Sequence, residues 1–312
     1  MMKKLWLIYF GLLAVLKIEA QDGTATINYT NTQQRIDGFG ASSAWMNAPL
    51  STADADLIFS TTSGAGLSLL RTRIAPGGVI DDAEGTIAQQ AAARGARVWS
   101  TPWSPPTNFK DNGNVNGGDY IDTPANNASY AGELASYVTT MKNSYGVTLY
   151  AVSVQNEPDV QAPGASGYES CLWTSAQIHD FVPYLYTNLI TAGVGSTKIM
   201  LPEDEFWQWN LATDTWNDTN TAPLIGILAA HNYNNNYNQA PTPLFTSNLS
   251  SSNTVPVWET EHYFGSDDSI TNGLQLAQEI HNFMTVGNAN AYHYWWLLGS
   301  APPACNISRV FR

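Results

Sequence analysis

Eight short β-prone runs alternate with helical patterns along most of this 312-residue chain. Such alternation is typical of a parallel sheet whose strands are joined by crossover helices, and eight strands close into a (β/α)8 barrel. With 44% hydrophobic and 12% charged residues, the chain suffices for one large core. The predicted strands are 35–41, 67–74, 96–101, 149–154, 198–201, 226–230, 255–260 and 290–296, and the predicted helices are 83–94, 130–145, 175–192 and 274–286.

The segments that flank the barrel have different patterns. Residues 1–20 combine two early lysines with an apolar run of about 12 residues, which predicts a signal peptide and a secreted protein. Residues 21–34 are rich in Thr and Asn and alternate, which predicts an additional strand outside the barrel. The barrel itself is assigned to residues 35–312, and only about 16 residues follow the eighth strand, so the last helix is expected to be missing.

Charge and cysteine content restrict the classes of partner. The net charge is −13, which disfavours nucleic acid and anionic membranes. Cys171 and Cys305 are the two cysteines, and they are able to pair in an oxidising compartment or to remain free. The chain has no fingerprint for a phosphate, a dinucleotide or zinc. We therefore expect no cofactor and no metal, and we expect a monomer that binds neither nucleic acid nor a membrane.

Two glutamates close β-prone runs in similar settings. Glu157 ends the run 152–157 and Glu261 follows the run 255–260, and they are 104 residues apart. At roughly 30 residues per βα unit, they lie about three strands apart at the carboxyl ends of the strands, where barrel enzymes carry their chemistry. Two carboxylates facing each other there are what glycoside hydrolysis requires, one as acid and one as nucleophile or base.

Seven motifs in order, spread over residues 35–300, resemble glycoside hydrolase family 30. They are 35–41 (Arg-Ile-Asp-Gly-Phe-Gly-Ala), 69–74 (Leu-Leu-Arg-Thr-Arg-Ile), 101–106 (Thr-Pro-Trp-Ser-Pro-Pro), 155–158 (Gln-Asn-Glu-Pro), 231–233 (His-Asn-Tyr), 260–263 (Thr-Glu-His-Tyr) and 294–296 (Tyr-Trp-Trp). The motif 260–263 is similar to the bacterial xylanase branch of that family. The resemblance implies a retaining (β/α)8 glycosidase with a side β-sandwich, whose C-terminal segment is missing from this chain.

The resemblance also implies roles for individual residues. Glu157 would be the acid/base and Glu261 the nucleophile, with Arg71 as the cation beside Glu261. Asn156 would donate to the sugar 2-hydroxyl, and Tyr233 would orient the nucleophile. The remaining expected substrate contacts are aromatic: Trp103 and Trp296 in the glycone pocket, Trp45 and Trp295 near its walls, and Tyr168 and Tyr263 in place of the aromatic residue that Val160 replaces.

Two alternatives stay open at this level. Glu259 alternates onto the same face as Glu261, so alternation alone does not decide which is the nucleophile, although the register of the family favours Glu261. Arg73 likewise alternates onto the face of Arg71. In glucuronate-requiring xylanases an arginine follows the eighth strand, whereas here only Arg309 and Arg312 are near.

The sequence therefore predicts a secreted endo-β-1,4-xylanase that cleaves (glucurono)xylan by double displacement. One alternative is the same chemistry on another β-glycan or on a glucosylceramide-like substrate. An alternative of another class is a carbohydrate-binding barrel without catalysis.

Overall fold

Eight parallel strands form a closed barrel, in which each strand pairs with its neighbours in sequence and β8 pairs with β1. The computed structural model describes residues 26–162, 167–233, 255–263 and 269–298. The strands are β1 Gly38–Ser42, β2 Leu69–Ile74, β3 Arg97–Pro102, β4 Ala151–Ser153, β5 Lys198–Asp204, β6 Ile225–Ala230, β7 Val257–Glu259 and β8 Ala291–Tyr294. The (β/α)8 class is confirmed, and every predicted run overlaps one of these strands.

In the described ranges a helix lies between each pair of successive strands except β6 and β7. They are α1 Thr52–Phe59, α2 Asp82–Ala92, α3 Pro124–Tyr145, α4 Ser175–Thr191, α5 Thr213–Asn217 and α6 Ile270–Thr285. The longest, α3, begins with Thr123 accepting from the Asn126 N–H and ends at Gly146, whose φ of 68° requires a residue without Cβ. At the start of α4, Thr174 and Gln177 form a reciprocal capping box. Sequence patterning missed α1 and α5, which have only eight and five residues.

The barrel encloses one hydrophobic layer and packs a second one against its helices. The inner layer comprises Leu69, Trp99, Ala151, Met200, Ile227, Ala229, Trp258 and Ala291. Two tryptophans bring polar partners into this interior: Trp99 Nε1 lies 3.0 Å from His293 Nε2, and Trp258 Nε1 donates to Asp37 over 2.9 Å. A Cβ on Gly40 would lie 2.5 Å from the Leu69 carbonyl oxygen, so β1 approaches β2 too closely for any larger residue. The floor beneath the barrel mouth is therefore filled and rigid.

The termini are described only in part. The chain divides into two compact units, Met1–Gln33 and Gln34–Arg312. The predicted strand over 21–34 is absent from its described part, because Asn28 instead closes a turn by accepting from the N–H and the hydroxyl of Thr30. The predicted signal peptide, residues 1–20, and the region of the expected missing helix after residue 298 lie outside the described residues, as do Cys305, Arg309 and Arg312. No helix within the described ranges is long and apolar enough to span a membrane.

Asp204, the last residue of β5, is buried, and neither of its carboxylate oxygens has a hydrogen-bond partner. Burial, followed by the charge of Asp159, raises the pKa of Asp204 to about 8. A group of this kind binds its proton more tightly in the folded state than in the unfolded state.

We expect Asp204→Asn to remove part of the pH dependence of stability. A carboxyl with a raised pKa destabilises the fold increasingly as the pH rises from its ordinary value of 3.8 towards about 8. Between about pH 5 and about pH 8 the loss amounts to at most ~4 kcal/mol, since each pKa unit corresponds to about 1.4 kcal/mol. Urea unfolding of the wild type and of Asp204→Asn at about pH 5 and about pH 8 measures this loss in the free energy of unfolding. A gain from the substitution that is no larger at pH 8 than at pH 5 would contradict the expectation.

Candidate active site

Glu157 and Glu261 meet at the carboxyl ends of the barrel strands. Glu157 follows β4, Glu261 follows β7, and both residues are only 5% exposed. One carboxylate oxygen of Glu157 lies within 4.8 Å of one carboxylate oxygen of Glu261. The two glutamates therefore belong to one site, in which a single sugar carbon and its glycosidic oxygen are able to contact both.

Arg71 is the cation of this site. Its guanidinium is fully buried and donates from Nη1 to Glu261 Oε2. From Nη2 it donates to Asn156 Oδ1 over 2.5 Å and to Glu203 Oε1 over 3.0 Å. Because Asn156 Oδ1 accepts from Arg71, the amide nitrogen of Asn156 points the other way and lies 3.5 Å from Glu157 Oε2. Arg71 thus orients two residues that the sequence assigned to substrate chemistry.

Each catalytic candidate has a tyrosine donor. The Tyr233 hydroxyl donates to Glu261 Oε1 over 2.8 Å, and the Tyr168 hydroxyl donates to Glu157 Oε2 over 2.7 Å. Tyr168 is 42% exposed, whereas His231, 3.1 Å from Glu157 Oε1, is fully buried. Oε2 of Glu157 is therefore the oxygen on the solvent side of the site.

His231, on the loop after β6, is surrounded by the three carboxylates. Its Nδ1 contacts Glu157, and its Nε2 lies 3.6 Å from Glu203 Oε1 and 4.0 Å from Glu261 Oε2. Burial opposes protonation, but the charge of Glu261, the hydrogen bond to Glu157 and the nearby carboxylate of Glu203 outweigh it and raise the pKa of His231 to about 10. His231 is therefore an imidazolium at neutral pH. We refer to Arg71, Glu157, Glu203, His231 and Glu261 together as the charged cluster.

The pKa values of Glu157 and Glu261 are shifted in opposite directions. Burial raises the pKa of Glu157, but His231, Tyr168 and Arg71 together hold the pKa of this carboxyl below its usual value. Burial raises the pKa of Glu261 despite the opposing charges of His231 and Arg71. Two carboxyl groups this close disfavour each other's ionisation, and the charge of Glu157 contributes to the raised pKa of Glu261.

The same groups are the only described set with the spacing of metal ligands. Glu157, His231 and Glu261 offer ligand atoms within 4.8 Å of one another. However, Arg71 already pairs with Glu261 in this set and the pKa of His231 is raised, so a metal ion would have to compete with a guanidinium and a proton for these ligands. Arg71 and His231 supply the positive charge that a metal ion would otherwise bring.

Tryptophans form one wall of the site. Ring centroids lie 4.9 Å apart for Trp45 and Trp103, 5.9 Å for Trp45 and Trp295, and 5.8 Å for Trp103 and Trp295. Trp296 stacks on Trp295 at 6.0 Å and donates from Nε1 to the Ala44 carbonyl. The Arg71 guanidinium lies 4.5 Å from the ring of Trp103. Aromatic faces next to a carboxylate pair suit the C–H faces of a sugar.

A family model for the glycosyl hydrolase family 30 TIM-barrel domain matches residues 85–272. The chain belongs to glycosyl hydrolase family 30. The match includes Glu157, Glu203, His231 and Glu261, while Arg71 precedes it and Trp295 follows it. The family resemblance that the seven motifs carry is thus confirmed.

Relatives within family 30 have names that specify xylanases. The chain is 32% identical over 292 residues to glucuronoxylanase XynC of Bacillus subtilis (strain 168), covering 89% of this chain and 64% of that protein. Among solved structures, it is similar to the subfamily 8 xylanase Xyn30A of Clostridium acetobutylicum, with 35% identity, a TM-score of 0.76, and 91% and 72% of the two chains covered. A family 30 endoxylanase of Clostridium papyrosolvens C71 is 30% identical at a TM-score of 0.70, with 90% and 72% covered. The chain spans about two thirds of these lengths.

The structure shows the contacts of Glu259 and Arg73, the two residues that the sequence left open as alternatives. Glu259 accepts from the His293 N–H, and burial followed by the charge of Glu279 on α6 raises its pKa well above the usual range. Alternation failed here because β7 ends at Glu259, so Glu261 lies on a loop and not on the same strand face. Arg73 does not join Arg71 but forms a two-pronged ion pair with Glu169.

Among the expected substrate contacts, Tyr263 is the one whose described contacts lie away from the glutamates. Its ring lies 6.0 Å from that of Tyr294, at the edge of β8. Trp45, Trp103, Trp295 and Trp296 form the wall described above, and Arg71, Asn156, Tyr168 and Tyr233 contact the charged cluster directly or belong to it. Sequence analysis missed the roles of His231, although its motif was noted, and of Glu203 entirely.

Proposed function

We propose that this family 30 protein is a secreted retaining endo-β-1,4-xylanase that cleaves (glucurono)xylan. The spacing of Glu157 and Glu261 carries the proposal. Carboxyl groups about 5–5.5 Å apart are characteristic of retaining glycosidases, while inverting enzymes need roughly 6.5–9.5 Å to admit a water molecule. One carboxylate oxygen of Glu157 lies within 4.8 Å of one of Glu261, and such close oxygens support the shorter separation. The xylanase names of relatives at 30–35% identity support the substrate.

The first half of the reaction forms a bond from Glu261 to the anomeric carbon. Arg71 and Tyr233 hold the attacking carboxylate in place, and the bond from that carbon to the leaving oxygen breaks while Glu157 gives this oxygen its proton. In the second half Glu157 takes a proton from water, the water oxygen attacks the anomeric carbon, and the Glu261 carboxylate leaves. Two inversions give net retention.

Substrate binding itself favours protonation of Glu157. The solvent-side oxygen, Oε2, accepts from Tyr168 in the free site. When a glycosidic oxygen takes that place, a donor is exchanged for an acceptor, so the ionised form of Glu157 loses support and its pKa rises. Binding therefore favours a protonated Glu157 as the acid and an ionised Glu261 as the nucleophile.

The decisive measurement is product analysis on glucuronoxylan, unsubstituted β-1,4-xylan and β-1,6-glucan. We expect a mixture of xylo-oligosaccharides from xylan and nothing from the glucan. Proton NMR at early times should show the β-anomer first, because the configuration is retained. The matched control carries both Glu157→Gln and Glu261→Gln, which keeps side-chain size and removes catalysis.

Each of the other possible results would assign a different function or mechanism to this protein. Products from β-1,6-glucan alone would assign another β-glycan to the same chemistry. Early release of the α-anomer would exclude retention. Binding of xylan by the wild type with no more turnover than the double variant would establish a non-catalytic carbohydrate-binding barrel.

A further inference from the structure

Glu203 is the one carboxylate of the charged cluster to which neither the sequence nor the proposed reaction gives a part. It lies at the end of β5, is fully buried, and is neither the acid nor the nucleophile. Burial raises its pKa, but the charge of Arg71 and then His231 outweigh this and lower the pKa to about 2. A permanent negative charge therefore lies directly beneath the reacting pair.

The backbone is distorted to bring this side chain into the site. The pairing of β5 with β6 shifts register between Pro202 and Asp204, and Glu203 is the residue between them. Its φ is 60°, in the left-handed region that a residue with a Cβ adopts at a cost of about 1–3 kcal/mol. Bulges of this kind re-aim side chains and are frequent beside active sites.

Once re-aimed, Glu203 lies beside both cations that support the reacting pair. Its Oε1 accepts from Arg71 Nη2 at 3.0 Å and lies 3.6 Å from His231 Nε2, while its Oε2 accepts from Thr101 at 2.5 Å. Its carbonyl oxygen accepts from the Glu157 N–H at 3.0 Å. One residue thus touches the cation beside the nucleophile, the imidazolium beside the acid, and the backbone of the acid itself.

We propose that Glu203 is a positioning residue that holds Arg71, His231 and the Glu157 backbone in the arrangement that hydrolysis requires, and that balances the two buried cations. The inference rests on the proposed function, because the arrangement matters for catalysis only if Glu157 and Glu261 react. Arg71 and His231 together carry two positive charges. Without Glu203, both would act on Glu157 and Glu261 alone.

Removal of this charge has a defined effect on the pH profile. In Glu203→Gln the two cations stabilise the ionised forms of Glu157 and Glu261 more strongly, so both carboxyl pKa values fall. The acidic limb of kcat/KM reports the ionisation of the nucleophile and the basic limb the loss of the acid's proton. We expect both limbs to move to lower pH by about two units, as a unit charge roughly 5 Å away at an effective dielectric constant of about 20 implies. We also expect kcat to fall about 10–100-fold with little change in KM, because the reacting groups lose their alignment.

Two variants separate charge from packing. Glu203→Asp keeps the charge and should keep both limbs near the wild-type positions. Thr101→Val removes the hydroxyl bonded to Glu203 at nearly constant volume and leaves the charge, so it should also keep the profile. If Glu203→Gln loses activity with unmoved limbs, Glu203 is merely structural and the proposal is wrong. A shift of both limbs to higher pH would also overturn the proposal. Such a shift would mean that His231 loses its proton when the charge of Glu203 is removed.

A further measurement does not depend on turnover. It therefore tests the proposal even if Glu203→Gln does not fold or the proposed function is wrong. Nitrogen-15 NMR of the histidine rings in the wild type, assigned with His231→Gln, should show both ring nitrogens of His231 protonated at about pH 8. A neutral ring there overturns the charge-balancing role, whatever the substrate. If the ring is protonated but no glycan is cleaved, the proposed function fails while the contacts of Glu203 stand.

Discussion

Glu261→Gly should abolish hydrolysis of xylan and permit rescue by azide. Loss of a catalytic nucleophile costs on the order of 10⁴–10⁶ in kcat, because no glycosyl-enzyme forms. The substitution leaves a gap beside Arg71 and Tyr233, the two donors that hold the carboxylate in the wild type. Azide is a small anion, so these donors should bind it where the carboxylate was. Attack from that side on an activated aryl β-xylobioside gives the α-glycosyl azide, identified by NMR.

Glu259→Gln is the matched control for this result. Glu259 is buried two residues away, and its hydrogen bond to the His293 N–H is compatible with a side-chain amide oxygen. Burial raises its pKa well above the usual value and so favours the neutral form, whose charge an amide reproduces. We expect Glu259→Gln to retain hydrolysis and to give no azide product. The opposite outcome for the two variants would move the nucleophile to Glu259, and a β-azide from Glu261→Gly would remove the retaining mechanism.

The barrel was accessible from sequence because its strands are short apolar runs that alternate with long helical patterns. Strand ends were harder, and the errors have physical causes. At β5 the predicted strand stops at Leu201, since the next residue is a proline, which has no N–H for a ladder hydrogen bond. The observed strand continues through a register shift to Asp204, and those extra residues include Glu203. A bulge of this kind has no period for a sequence pattern to detect.

The second error has the same origin. Period-two alternation placed Glu259 and Glu261 on one face, and Arg71 and Arg73 likewise. Alternation holds only inside a regular strand. β7 ends at Glu259, so the alternation stops before Glu261, whereas Arg73 stays within β2 and pairs with Glu169 instead of joining Arg71. Sequence patterning is thus reliable in the barrel floor, where packing dictates direction, and fails at the mouth, where catalytic side chains are placed by loops.

Backbone strain marks this mouth independently of any motif. Four non-glycine residues in the described ranges have a positive φ, and three of them, Trp45, Glu157 and Glu203, lie in the site. Each such conformation costs about 1–3 kcal/mol and persists only where the surroundings enforce it. The rigid floor of buried tryptophans provides that enforcement. Packing of the surrounding residues therefore holds Glu157, Trp45 and Glu203 in strained conformations at the barrel mouth.

Glu157→Ala should separate the two halves of the reaction. On xylan the leaving oxygen needs a proton, so we expect kcat/KM to fall about 10²–10⁴-fold. A dinitrophenyl β-xylobioside has a leaving group that needs almost no protonation, so its first step should survive while the second step, which needs Glu157 as base, becomes slow. A burst of dinitrophenol followed by a slow steady state would report the accumulated glycosyl-enzyme. KM should fall as well, because the intermediate accumulates.

Azide completes the distinction, because it needs no general base. Added to Glu157→Ala, it should accelerate the steady state and give the β-glycosyl azide, the product of two inversions. Tyr168→Phe serves as the comparison: it removes the hydroxyl that donates to Glu157 but keeps the carboxylate, which excludes the anion by charge repulsion. It should therefore give no azide product. If Glu157→Ala shows neither a burst nor a β-azide, the proton donor lies elsewhere in the charged cluster, and His231, the other proton carrier in contact with Glu157, would be the next group to substitute.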